Sequence, residues 1–358
     1  MSAESVAEGN DELQRRMIAL CASENSAKIT KPLWQFVHTE TGEVLGHLTG
    51  RDLRAAASLT VLSISDFLSC ELPSRENLLA PWLPTQGLAM IYAPRGTGKT
   101  FLSLGIAFAV AAGSGFLRWQ APQAGGVLFV DGELPANVLQ ERLAHLVRDS
   151  VQQPTEPLDI ITPDFQSHGT PDLATEDGQA ALDSVIKPEH RLIVLDNLSA
   201  LVRSGKENEG EAWLPVQTWA LRQRAAGRSV LFIHHSGKGG QQRGSSRRED
   251  LLDTVIALRR PPDYSPQDGA SFEVHFEKAR QLHGDVVKPF EAKLATEAGG
   301  RSIWTTRDLD DSTFERVIAL HGDGLKPREI AEELGVHRSQ VSRHLKRARE
   351  EGRLGTQQ

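Results

Sequence analysis

The fold is decided by the stretch Ala93-Pro94-Arg95-Gly96-Thr97-Gly98-Lys99-Thr100, which separates a short apolar run, 87–92, from a longer one, 101–112. This order predicts a strand, a glycine-containing loop and a helix. Backbone N–H groups of such a loop can turn toward a polyphosphate, Lys99 can reach the β- and γ-phosphates, and the Thr100 hydroxyl can ligate Mg²⁺. The octet fits G-x-x-x-x-G-K-[ST] everywhere except Ala93, so it predicts a P-loop. The alternative is a chance glycine turn before a helix.

Composition limits the class of protein. The 358 residues are enough for about two domains, and 39% hydrophobic with 24% charged residues is typical of a globular protein. A net charge of −7 gives no overall attraction to nucleic acid, so any DNA contact must come from local basic patches. Two distant cysteines, Cys21 and Cys70, indicate neither a disulfide framework nor a zinc site. The longest apolar run, 104–112, is too short to span a bilayer. We expect a cytoplasmic protein without membrane insertion.

The first 80 residues carry no recognisable chemistry. The runs 33–37 and 44–48 predict a small hairpin, and 51–62 predicts a helix. An interaction or oligomerisation role is the expectation for this region.

An acidic position follows the next apolar run. Residues 125–130 predict a buried strand that ends at Asp131-Gly132-Glu133. A carboxylate at the carboxyl end of such a strand faces the crevice where open α/β sheets bind ligands. Glu133 is therefore a candidate to orient a water molecule.

A second acidic position, Asp196, follows the stretch Arg191-Leu192-Ile193-Val194-Leu195. Four consecutive apolar residues predict a strand buried on both faces, and Asp196 at its end would lie beside the P-loop. There it could hold Mg²⁺ through water or through Thr100, as a Walker B acid does. The alternative is a helix N-cap.

Another predicted strand, 229–233, ends in His234-His235-Ser236-Gly237. Adjacent histidines on a strand point to opposite faces and cannot readily chelate one ion. We favour His235 as a polar sensor of the γ-phosphate over a structural role. The following loop, 236–250, contains Lys238, Arg243, Arg247 and Arg248. It could follow a phosphate backbone or be an ordinary solvated loop.

Two further strands are predicted at 253–258 and 271–277, and the second continues into Lys278-Ala279-Arg280. Basic residues at a strand end are often only solvated.

Together these residues resemble the RecA-like ATPases, within them the hexameric helicase and KaiC-like branch, and most closely the plasmid RepA-type replicative helicases. The resemblance covers about residues 80–295. It rests on the P-loop, Glu133, Asp196, the stretch 234–239 and Lys278-Ala279-Arg280, which is similar to the family's K-x-R finger.

The resemblance implies an α/β, RecA-like core with a mainly parallel twisted sheet, and ATP and Mg²⁺ as ligands. It also implies that Glu133 activates the attacking water, while Lys278 and Arg280 reach the nucleotide of a neighbouring subunit. A homo-oligomer, expected to be a hexamer, follows from that role. Arg243, Arg259 and Arg260 are alternative fingers.

The tail resembles the helix-turn-helix of bacterial regulators, with helices expected at 312–321, 326–334 and 338–349. The apolar residues expected to pack them are Ile330, Leu334, Val336, Val341 and Leu345. The residues expected to face outward, toward DNA, are Arg338, Ser339, Gln340, Arg343 and Arg347. Because 338–349 contains no acid, this helix is locally cationic. The alternative is a small helical interaction domain.

We therefore expect three regions: 1–80 of unknown role, 81–308 as the ATPase core, and 309–358 as the DNA-binding module. The expected function is an ATP-hydrolysing, DNA-associated motor, a ring helicase in replication of a plasmid or mobile element. The core would contact single-stranded DNA and the tail duplex DNA. A DNA-bound, ATP-switched loader or a transcription or replication regulator without unwinding activity is the alternative.

Overall fold

The computed structural model describes residues 33–37, 44–49, 62–69, 75–203, 213–237 and 249–354, except 263, 281 and 298. The chain divides into two compact units, Met1–Ser74 and Arg75–Gln358. In the first unit, strands β1 (Leu33–Val37) and β2 (Val44–Thr49) pair antiparallel, which confirms the predicted strand pair. Helix α1 spans Ile64–Ser69. The predicted helix at 51–62 lies almost wholly outside the described residues.

The second unit contains the other described elements. Its strands are β3 (Asn77–Leu79), β4 (Leu83–Pro84), β5 (Leu88–Ala93), β6 (Gly115–Phe116), β7 (Trp119–Gln120), β8 (Gly126–Asp131), β9 (Leu158–Ile161), β10 (His190–Asp196), β11 (Ser229–His235), β12 (Thr254–Arg259), β13 (Ser271–Ala279), β14 (Phe290–Thr296) and β15 (Ser302–Asp308). Its helices are α2 (Lys99–Ala112), α3 (Ala136–Asp149), α4 (Glu176–Asp183), α5 (Leu198–Leu201), α6 (Trp213–Ala225), α7 (Leu309–Gly322), α8 (Pro327–Glu333) and α9 (Arg338–Glu350).

Within the described residues, one sheet of nine strands has the order β15-β14-β13-β12-β5-β11-β10-β8-β9. The strands from β12 to β9 in this order run parallel, and β13, β14 and β15 extend the sheet antiparallel. The parallel strands are continuous apolar runs because both sheet faces are covered. On one face Ile91 belongs to the core that includes α2, and on the other Met90 packs in the core with Trp219 of α6. The predicted α/β fold with a mainly parallel sheet is confirmed.

Helix α2 is buried along most of its length. A Cβ atom on Gly105 would lie 2.2 Å from Cζ of Phe116, so the Phe116 ring rests directly on the helix backbone. Glycine in a helix interior costs about 1 kcal/mol relative to alanine. The burial of a whole aromatic ring offsets that cost.

The three C-terminal helices share a small apolar core. Its buried members are Val317, Ile330, Ala331, Leu334, Val341 and Leu345, with Val336 packed at its edge. This confirms the predicted packing of the helix-turn-helix.

An ionic cluster joins these helices to the sheet. Helix α7 begins directly after β15, and the Arg316 side chain, 10% exposed, lies 3.0 Å from Glu291 on β14 and 3.9 Å from Glu273 on β13. Both carboxylates are largely buried. The helical module is therefore fastened to the antiparallel edge of the sheet by ion pairs with little access to water.

Candidate active site

The P-loop has the backbone that its sequence predicts. Strand β5 ends at Ala93 and α2 begins at Lys99. Gly96 and Gly98 adopt φ of 73° and 104°, a region that favours glycine. Ala93, which departs from the motif, pairs with His235 in the sheet, so its extended backbone needs no glycine.

Lys99 turns back onto its own loop. Its Nζ donates to the carbonyl oxygens of Pro94 at 2.9 Å and Ala93 at 3.2 Å. Burial lowers the pKa of Lys99 to about 8, and the nearby carboxylates of Asp196 and Glu133 oppose that shift. A bound polyphosphate would supply the negative charge that this buried cation lacks.

Thr100 and Asp196 come together as predicted. Asp196 is 3% exposed, and its carboxylate accepts hydrogen bonds from the Thr100 hydroxyl and, at 2.8 Å, from Ser103 Oγ. Burial raises the pKa of Asp196. A hydroxyl and a carboxylate beside a phosphate-binding loop are the oxygen ligands that fit Mg²⁺, whose other positions water and phosphate usually fill. Ser103 was missed, although its place one turn after Thr100 on α2 is visible in the sequence.

Glu133 lies beside these residues, at the carboxyl ends of the parallel strands. Its Oε2 accepts a hydrogen bond from Asn197 Nδ2 and lies 3.5 Å from Nε2 of His235. Burial, with the Lys99 charge in second place, lowers the pKa of His235, which favours the neutral imidazole. The carboxylate of Glu133 is about half exposed, so water can reach it. The structure therefore brings Lys99, Thr100, Glu133, Asp196 and His235 to one crevice.

Asp131 stabilises the turn that carries Glu133. Its carboxylate accepts the backbone N–H groups of Leu134, at 2.9 Å, and of Glu133. Burial raises the pKa of Asp131 to about 7. It is the turn residue of Asp-Gly-Glu and not the exposed base.

One alternative finger residue lies at this chain's own P-loop. Arg260 Nη2 donates to the Arg95 carbonyl oxygen at 3.2 Å, and its guanidinium lies 4.7 Å from the centre of the Tyr264 ring. Arg259, in contrast, pairs with Glu277 at 3.1 Å. Arg243 lies outside the described residues, as does most of the basic loop.

Lys278 and Arg280 are not in the crevice. The backbone N–H of Arg280 donates to the carbonyl oxygen of Asp253, and the N–H of Asp253 donates to the carbonyl oxygen of Leu88. Leu88 is the first residue of β5, whereas the P-loop lies at the other end of that strand. Lys278 Nζ and Arg280 Nη2 bind the backbone carbonyls of Glu249 and Asp250. The two residues therefore lie near the amino ends of the parallel strands, whereas the crevice lies at their carboxyl ends.

Helix α9 presents a cationic face. Arg338, Ser339 and Arg343 are exposed and Gln340 is half-buried. Arg347, predicted to face outward, is an exception: its guanidinium lies 4.2 Å from the centre of the Phe314 ring and binds Asp311 at 3.2 Å and Glu351 at 2.8 Å. Phe314 and Asp311 hold it against α7, and Glu351, which directly follows α9, is its second carboxylate partner. Lys346 and Arg349, which the prediction omitted, are exposed.

Two known protein families match parts of the chain. A family described as "AAA domain" matches residues 53–241, more than half of the chain. The chain belongs to this AAA-domain family. A second family, described as a homeodomain-like domain, matches residues 316–356, which include the second half of α7 and all of α8 and α9. The predicted P-loop core with a C-terminal helix-turn-helix is confirmed at that level.

Several solved structures are similar to the chain. They are a KaiC-like protein from Pyrococcus horikoshii (16% identity, 65% of this chain and 96% of that chain, TM-score 0.46), the RadB recombinase (18%, 59% and 88%, 0.41) and the flagellar accessory protein FlaH from Methanocaldococcus jannaschii (13%, 62% and 90%, 0.42). No curated protein matches the sequence. None of the described helices is long and apolar enough to cross a membrane.

Proposed function

We propose that this chain is a RecA-like ATPase that hydrolyses ATP in the crevice beside residues 93–100 and acts on DNA. One observation carries the proposal: Lys99 and Thr100, Glu133, and Asp196 come from three separate places in the sequence and converge at the carboxyl ends of the parallel strands. A buried lysine, a pair of oxygen ligands and a water-accessible carboxylate are the set that phosphoryl transfer to water needs.

In the proposed reaction, the loop N–H groups and Lys99 bind the β- and γ-phosphates. Thr100 and Asp196 would hold Mg²⁺, which neutralises developing negative charge on the phosphate oxygens. The oxygen of a water attacks the γ-phosphorus, the bond to the β,γ-bridging oxygen breaks, and ADP leaves with that electron pair. Glu133 accepts the proton of the attacking water. His235, beside Glu133, would sense the loss of the γ-phosphate.

Contact with DNA is assigned to the outward face of α9. Arg338 and Arg343 are exposed, and their helix begins after a turn, as the second helix of a helix-turn-helix does. The finer proposal is a cytoplasmic ring helicase, a hexamer that replicates a plasmid or mobile element. Arg280 would then complete the site of the next subunit.

A second function, an ATP-switched DNA loader or regulator without unwinding activity, is favoured by the ionic attachment of the helix-turn-helix to the sheet. That attachment suits a protein that stays at one duplex site. Strand displacement on a forked duplex would favour the helicase, and a footprint on one sequence would favour the loader or regulator.

The decisive experiment compares ATP turnover, with and without single-stranded DNA, for the wild type and three variants. Lys99→Ala should lose turnover, because it deletes the positioned cation. Glu133→Gln should keep ATP binding and slow hydrolysis by about two orders of magnitude or more. Lys187→Ala is the matched control, since Lys187 is a half-exposed lysine paired with Asp159. Wild-type turnover by folded Lys99→Ala would refute the proposed function.

A further inference from the structure

The candidate base is held at its side chain by a residue outside the predicted site. Asn197 follows Asp196 at the end of β10, and its Nδ2 donates to Oε2 of Glu133. The two residues are 64 positions apart in sequence. His235 approaches the same oxygen at 3.5 Å, too long for a strong hydrogen bond. Asn197 is thus the close contact of this carboxylate.

The position of Asn197 is itself fixed. The residue is 3% exposed, and its Oδ1 accepts the backbone N–H of Ala200 at 3.3 Å as the N-cap of α5. Because Oδ1 faces Ala200, Nδ2 faces Glu133. The amide therefore joins the cap of one helix to the carboxylate of the neighbouring strand end.

The backbone of Glu133 is held as firmly. Gly132 donates its N–H to the Asp196 carbonyl at 2.8 Å, and a Cβ on Gly132 would lie 2.8 Å from that of Ala200. Asp131 accepts the N–H of Glu133 itself. Because both the backbone and the carboxylate of Glu133 are hydrogen-bonded, its side chain loses little further conformational freedom when the reaction begins.

We propose that Asn197 is a positioning residue for ATP hydrolysis: by binding Oε2 of Glu133, it leaves Oε1 turned to the attacking water. This inference rests on the proposed function. The side chain of Asn197 binds Glu133 and caps α5, so we assign its effect on the reaction to Glu133. Its loss should lower kcat by about 10- to 100-fold, the range expected when a catalytic group is misplaced, without weakening ATP binding.

The test compares Asn197→Ala, Asn197→Ser, Glu133→Gln and the double variant Glu133→Gln/Asn197→Ala. Serine keeps an oxygen for the α5 cap but is one bond shorter toward Glu133, so it separates capping from positioning. Both single variants at 197 should lower kcat alike and change the Kd for ATP less than about threefold, whereas only alanine should lower the Tm. In the Glu133→Gln background, removing Asn197 should change kcat less than about twofold, because residues that act as a unit are not additive.

Several results would overturn the inference. One is wild-type kcat in Asn197→Ser. Another is a loss in the double variant that equals the product of the two single losses, which would show an effect independent of Glu133. A rise in kcat on removal of Asn197 would mean that the amide restrains the base instead of positioning it. Wild-type turnover by Glu133→Gln would also overturn it, because Asn197 acts through Glu133. Wild-type turnover by folded Lys99→Ala would instead refute the proposed function, which distinguishes the two failures.

Discussion

Arg280→Ala tests whether the active site is completed by a second copy of the chain. Arg280 lies level with Leu88, and the P-loop begins after Ala93, five residues further along β5. At about 3.3 Å per residue the separation is about 17 Å along the strand, beyond the reach of one arginine side chain. Any catalytic role of Arg280 must therefore be exerted on another subunit's nucleotide. A finger in trans contributes about 10³-fold or more to the rate.

The assay mixes two inactive proteins. Arg280→Ala should bind ATP nearly normally and turn over about 10³-fold slower than wild type, while Lys99→Ala lacks its own phosphate site. In a randomly assembled 1:1 mixture, about one quarter of head-to-tail interfaces pair an intact P-loop with an intact Arg280. The mixture should regain about a quarter of wild-type turnover, measured by phosphate release, if interfaces act independently.

The control for this assay is Lys288→Ala, which removes an exposed lysine paired with Asp285. In a mixture with Lys99→Ala, the total turnover should equal that of the Lys288→Ala subunits alone, each working at the wild-type rate. If the two inactive proteins co-assemble, as shown by a tagged pull-down, and stay inactive, the reasoning is refuted. Arg280 would then act structurally through its 2.6 Å hydrogen bond to the Asp250 carbonyl, and Arg243 would be tested next.

Three further predictions concern the C-terminal helices. Arg316→Ala should lower the free energy of unfolding by about 3 kcal/mol, the lower end of the range for a broken buried pair, because Glu291 keeps Arg307 at 3.4 Å and Glu273 keeps His275 at 2.9 Å. Arg353→Ala, at an exposed ion pair, should cost less than about 1 kcal/mol in urea titrations. Replacing Arg338 and Arg343 by alanine should weaken duplex binding and reduce the slope of log K against log salt by about 1.8, in fluorescence anisotropy. Burial lowers the pKa of His344, so its stabilising effect exists above its unfolded pKa and is lost as pH falls through the folded pKa; His344→Leu should flatten this acid dependence of the Tm below about pH 6.5.

Each of these has a contradicting result. Equal stability losses for Arg316→Ala and Arg353→Ala would show that the cluster beside the sheet is not desolvated. An unchanged salt slope would remove the outward face of α9 from the DNA interface. The same acid limb in His344→Leu and wild type would assign the acid sensitivity to another group.

Local patterns were sufficient to predict that the P-loop, Glu133 and Asp196 meet in one crevice. The P-loop, Glu133 and Asp196 each follow an apolar run, and parallel strands place their carboxyl ends at a common edge. The apolar spacing on α8 and α9 likewise predicted their packing. These features depend on residues that are close in sequence, where periodicity and turn chemistry decide the structure.

Long-range contacts were not predictable in this way. The Asn197–Glu133 hydrogen bond depends on how the segments that follow the neighbouring strands β8 and β10 approach each other. Arg347 was expected outward from helical spacing alone, but Phe314 and Asp311 on α7 offer it an aromatic face and a carboxylate. The antiparallel register of β13 on β12 was needed to show that Lys278 and Arg280 lie near the amino ends of the parallel strands.

The contact between Gly105 and Phe116 restricts how this sequence can vary. Because the Phe116 ring occupies the volume that any side chain at 105 would need, the two positions are expected to change together. In a library randomised at both, functional clones should pair alanine or serine at 105 only with residues smaller than phenylalanine at 116. Phenylalanine at 116 should be recovered with glycine at 105. The substitutions that α2 tolerates at position 105 are thus limited by the residue at position 116 in the short strand β6, which lies outside the crevice.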